Sequence, residues 1–156
     1  MKTLRAAIAF VALAALALPA PALAHWSFTR WDMTPEQVMA ASKGALRSDP
    51  GGMGDRILKQ NRRLSGPVQF EGQAYQAEFY FSDAGKLTLV RLTPKDQTQC
   101  RVLMEMFTAR YGKSSNQYHG EWTDPRTGDR VFQSKESSYG PCHTTYNKAG
   151  LPISLY

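Results

Sequence analysis

Three histidines and two cysteines are the residues of this chain with the plainest capacity for chemistry. Cleavage of the chain after Ala24 would leave His25 with a free amine beside its imidazole, a bidentate nitrogen pair. A third nitrogen from His119 or His143 would complete a site of the kind that suits Cu(II), whose preference is for nitrogen-rich tetragonal ligation. The plainer reading is that some residue must follow the cleavage point and here it is histidine. Cys100 and Cys142 stand 42 positions apart. With no C-x-x-C and no zinc spacing anywhere, they read as one structural disulfide, favoured in an exported chain. Closing a loop of that length stabilises a fold by roughly 3–4 kcal/mol in the chain-entropy picture.

Other constellations fail on inspection. His119-Gly120-Glu121 with Pro141-Cys142-His143 echoes the H-x-E…P-C-x-x-C of zinc deaminases, but the second cysteine position is Thr145. No G-x-S-x-G marks a nucleophile elbow. Glu78 and Glu121 each lie on the strand face opposite a large aromatic, the ordinary place for a solvated carboxylate rather than a general acid or base. The stretch 124–129, DPRTGD, has too few spaced oxygen ligands for calcium and reads as a turn. The chain is therefore expected not to be an enzyme. Two surface features remain. Arg56, Lys59, Arg62 and Arg63 crowd one short stretch, either a patch for anionic glycan or lipid or a solvated face. Tyr80, Tyr118, Trp122 and Tyr139 are either core or an aromatic surface of the sort that, with arginine, serves protein and sugar recognition.

The elements that must position these residues are legible from periodicity. Over 96–112, Cys100, Leu103, Phe107 and Tyr111 recur at helical steps and form one apolar stripe. An earlier, shorter helix starts at Thr34-Pro35-Glu36-Gln37, a capping box with proline at the first helical position, and ends near Gly44. Strands are expected around Val68 and Phe70, over 75–81 and over 87–92, with a glycine turn at 82–85 between the last two. Broken alternation at Leu87, Leu89, Val90 and Leu92 predicts burial on both faces or a bulge. Three more strands follow the long helix, around 117–123, 130–135 and 142–148. Tyr75, Glu78, Phe79 and Gly85 match Tyr118, Glu121, Trp122 and Gly128 at one constant spacing. The expected fold is α+β, an antiparallel sheet with two helices, tied by one disulfide and arranged as a tandem α-β-β-β duplication.

Residues 1–24 have the form of an export signal: Lys2 and Arg5, an apolar run from Ala6 to Leu18, then Ala22-Leu23-Ala24. Residues 25–156 are then one α+β domain, periplasmic or extracellular, with no lipid anchor because no cysteine sits at the junction. Of the 19 basic residues two fall in that signal, and the other 17 against 13 acidic ones leave a mild positive charge. Export makes nucleic acid an improbable partner; an envelope protein or an anionic polymer fits better. No later run is long and apolar enough to span a bilayer.

One resemblance adds to this. Trp31-Asp32-Met33-Thr34-Pro35-Glu36-Gln37-Val38 resembles the tryptophan-x-Met-Ser/Thr start of the first helix in small exported bacterial proteins of unknown role. The repeated helix-plus-sheet order is similar to the β-lactamase inhibitor protein fold, shared by SmpA/OmlA-type outer-membrane lipoproteins. The resemblance implies a non-enzymatic protein, without cofactor, whose sheet face binds another envelope component. It transfers no contact residue to this chain.

Overall fold

A computed structural model describes residues 26–52, 55–116, 119–134 and 141–151. The expected export signal, His25, Tyr118 and Tyr139 lie outside the described residues. Two helices and eight strands follow one another in sequence. They are α1 (Pro35–Ala41), β1 (Arg47–Ser48), β2 (Arg56–Ile57), β3 (Gln60–Phe70), β4 (Gln73–Phe81) and β5 (Leu87–Pro94). Then come α2 (Gln99–Tyr111), β6 (Gly120–Thr123), β7 (Arg130–Gln133) and β8 (Thr144–Asn147). The strands form one antiparallel sheet in the order β1-β3-β4-β5-β8-β7-β6, with β2 as a short ribbon on β3.

That order places two three-stranded meanders, β3-β4-β5 and β6-β7-β8, side by side, joined third strand to third strand through β5 and β8. Each meander follows a helix, so the expected α-β-β-β order is present twice, with β1 and β2 as additions. The constant sequence spacing does not map onto this arrangement. It equates the β4–β5 hairpin with the β6–β7 hairpin, whereas the sheet makes β3 the counterpart of β6. What the spacing detects is a shared hairpin chemistry, an aromatic strand and a glycine turn, rather than equivalent strands.

The long strand β3 departs from expectation at its start. Its first residues belong to the charged run, and strand pairing continues through Gly66 and Pro67. A bulge between Arg62 and Leu64 hides the two-residue period there. Pro67 is tolerated because β1 pairs β3 only at Leu64 and Ser65, so beyond them β3 is an edge. Gly66 is required by packing: a Cβ there would collide with the Ala45 carbonyl oxygen. In β5 both expected features occur, a bulge opposite the Tyr80–Phe81 step and burial of Leu87 to Val90 without alternation.

One sheet face carries Leu64, Val68, Tyr75, Ala77, Phe79, Val90, Leu92, Trp122, Val131 and Tyr146 against Val38 of α1 and Leu103 and Phe107 of α2. Thr34 caps α1 with a reciprocal box to Gln37, as the sequence predicts. Cys100, in the first turn of α2, is disulfide-bonded to Cys142, with Cα atoms 6.2 Å apart. Trp122 closes the other end of that helix, donating its indole N–H to the Gly112 carbonyl at 2.9 Å. Among the described residues no helix is long and apolar enough to cross a membrane.

Candidate functional site

The sheet face opposite the helices holds most of the residues that the sequence singles out. A cross-strand row runs Ser65, Glu78, Arg91, Thr145, Phe132, Glu121. Glu78 lies at the centre of an ionic lattice, accepting from Arg62 Nη1 at 2.6 Å and Arg91 Nε at 2.5 Å. Arg62 also reaches Asp49 at 3.2 Å and Asp55 at 2.9 Å. Arg56 pairs with Asp83 at the surface, its side chain 51% exposed, and Lys59 and Arg63 are exposed as well. Of the four basic residues crowded in sequence, Arg62 is taken up by carboxylates, while Arg56, Lys59 and Arg63 stay at the surface.

For Tyr80 and Trp122, burial decides for core over surface. Tyr80 is fully buried, with the Arg91 guanidinium 5.6 Å from its ring centre, and Trp122 is in the core at 3% exposure. Neither offers surface to a partner. His119 stacks edge-on against Phe132 at 4.6 Å and stands 3.8 Å from Glu121, which also pairs with Arg130. His143 Nδ1 lies 2.9 Å from Ser134 Oγ, and burial, then the nearby Arg91 charge, lowers its pKa. That serine hydroxyl also accepts from the His143 backbone N–H at 2.9 Å, so it is a strand-pairing group rather than a freed nucleophile. No group of three histidine, cysteine or acidic side chains is gathered for a metal among the described residues.

One of several concave features lies on the other side of the sheet, where the two halves meet. A cavity of 540 Å³ is lined by Trp26, Ser27 and Trp31 of the N-terminal segment, Phe70 at the end of β3 and Arg110 and Tyr111 in the last turn of α2. The β6–β7 turn adds Asp124, Pro125, Arg126 and Asp129, and Val131 and Tyr146, register partners on β7 and β8, complete the lining. Its size falls within the usual range for small-molecule sites. The aromatics are held by one another: Trp26 lies 5.9 Å from Phe70, Phe70 6.3 Å from Tyr146, and Tyr111 stacks on Phe107 at 6.2 Å.

The polar groups are fixed as firmly. Asp124 accepts from the Arg126 backbone N–H at 2.9 Å and from its guanidinium at 3.1 Å, and Arg126 holds the carboxyl below its usual range. Asp129 accepts from the Ala149 amide at 3.0 Å, and Arg110 pairs with Glu71 at 2.8 Å. Two lining side chains are left wanting. The Trp26 indole N–H and the Tyr146 hydroxyl are buried and have no hydrogen-bond partner. Burial drives the Tyr146 hydroxyl well above its ordinary pKa and raises that of Tyr111. An unpaired buried donor costs about 1–3 kcal/mol, and with less than 1 Å² of either atom accessible the two are sealed within the packing rather than open to the cavity.

Sequence reasoning named none of these lining residues as a site. The aromatic richness of residues 26–31 is the feature of the sequence nearest to it. Compared with known proteins, the chain matches no family model, no characterised sequence and no solved structure.

Proposed function

We propose that this protein is an exported, non-catalytic binding module of the bacterial envelope, recognising a protein or polymer through the cavity between its two halves. The observation that carries the reading is the cavity itself, with fixed aromatic walls and pinned charges. Its carboxylates are held by arginine or by a backbone amide, and no nucleophile–base pair stands among its described lining residues, which favours binding over chemistry. The Cys100–Cys142 bond supports an oxidising compartment. Two helix-plus-meander halves in tandem are the feature on which the resemblance to the inhibitor-type fold rests, and they support a recognition role.

The polar sheet face is the competing location for the partner. Titration of soluble cell-wall polymer fragments and envelope proteins, followed by amide chemical shifts, separates the two. Shifts concentrated at Trp26, Tyr111 and 124–131, and lost in Arg126→Ala, are the expected result. Shifts at Gln76, Thr93 and Phe132, abolished by Gln76→Arg with Thr93→Arg, would move recognition to the sheet face.

A further inference from the structure

We infer that a second site, a groove at the β1 edge of the sheet, takes a short zwitterionic peptide with apolar side chains. The groove lies between α1, the β1–β3 pair and the β4–β5 turn, and it shares no residue with the cavity between the halves. It measures 650 Å³, within the range of small-molecule sites. Its apolar walls are Pro35, Met39, Pro50 and Leu64, and two side chains of opposite charge, Glu36 and Arg63, line it with them. Both are exposed, and among the described residues neither is in an ion pair.

The fold aims both charges. Arg62 pairs with Tyr80 and Leu64 with Phe79, so Arg63 is the extra residue of the β3 bulge. Arg62 is drawn into the Glu78 lattice, whereas Arg63 goes to the groove. Re-aiming one side chain is what a bulge does. Glu36 is held by the Thr34 hydroxyl, which donates to its Oε2 at 2.7 Å and keeps the carboxyl below its usual pKa. A simple ion of either sign would meet one like charge here, and a hydrocarbon would answer neither. A peptide answers both, its free amine toward Glu36, its free carboxylate toward Arg63 and its side chains on the apolar walls. The main chain of β1 favours a peptide over a single amino acid. Asp49 donates its N–H to the Arg63 carbonyl at 2.8 Å, so by strand alternation Ser48 directs its own N–H and C=O away from β3. Ser48 lines the groove, and an extended ligand backbone pairs with such an edge as an added strand.

Glu36→Gln and Arg63→Gln each delete one charge at an exposed position and leave the core untouched. The experiment titrates leucine, dileucine and trileucine into the oxidised protein, following the Met39 methyl and Ser48 amide resonances. N-acetylated and C-terminally amidated forms of both peptides are parallel arms. The expected result is saturable binding of a peptide, tighter than leucine, that weakens about fivefold on acetylation and about fivefold on amidation. The acetylation penalty disappears in Glu36→Gln and the amidation penalty in Arg63→Gln, because each variant lacks the partner of the group that the cap removes. No binding, a penalty from only one cap, or penalties that persist in the variants overturn the inference. Leucine bound as tightly as the peptides overturns the peptide assignment. Shifts gathered at Trp26, Trp31 and Tyr111 instead place the peptide in the cavity between the halves, which overturns the second site and supports the first.

Discussion

Glu78 is the residue on which the polar sheet face turns. It is 13% exposed and accepts from two arginines that are themselves mostly covered. Glu78→Gln removes the charge and leaves Arg62 and Arg91 facing each other, so unfolding in denaturant is expected to need about 2 kcal/mol less free energy. An unchanged midpoint would mean that Asp49 and Asp55 satisfy Arg62 without it. His143 supplies a pH dependence with a definite sign. Its folded pKa is below the ordinary 6.5, so the unfolded chain binds more protons in that window. Stability from this group is present above 6.5 and lost as pH falls through that value toward the folded pKa. His143→Asn should flatten the stability curve there; an unaltered slope between pH 7 and pH 5 would assign the dependence to other groups. At this scale the sequence marked Glu78 and His143 but not their roles. Asp49 lies beside Arg62 only because β1 pairs with β3, and the bulge in β3 turns Arg62 toward the carboxylates.

Elements whose signals are local were legible. The α2 stripe, the α1 capping box and the glycine turn between β4 and β5 each depend on residues within a few positions, and each is present. The β2–β3 hairpin was not, since its two loop residues, Leu58 and Lys59, both sit at positive φ, 56° and 67°. That backbone hand is what a tight two-residue hairpin needs, and Asn-Gly is the sequence that announces it. Leucine and lysine announce nothing and are strained there. Leu58→Asn with Lys59→Gly should therefore stabilise the protein by about 1 kcal/mol in a urea titration, and a loss of stability would show that the Leu58 side chain matters more than its backbone. The disulfide ties α2 to the chain just before β8. Replacing both cysteines with serine should lower stability by about 3–4 kcal/mol, read from the same titration, with the sheet retained.

In the whole molecule the two halves share one core, and the β5–β8 seam makes them one sheet. Trp26 and Trp31 report on the first half and Trp122 on the second. Unfolding followed by Trp122 alone, with the other two changed to phenylalanine, should coincide with unfolding followed by circular dichroism. Separate transitions would mean that the halves melt independently. The cavity belongs to this scale, which is why no pattern in the sequence announced it. Trp26, Tyr111, Asp124 and Tyr146 are separated by much of the chain, and only the meeting of the halves makes them neighbours. The same sheet order has a kinetic consequence. β8 is the final described strand to leave the ribosome, yet it lies in the middle of the sheet between β5 and β7. Until it arrives, β5 has a bare hydrogen-bonding edge, rich in leucine and valine, and the second meander has nowhere to dock. The nascent chain thus remains a template for mispairing while the residues between Pro94 and Thr144 are made, and its safe passage depends on how quickly that last strand follows or on what shields the edge meanwhile.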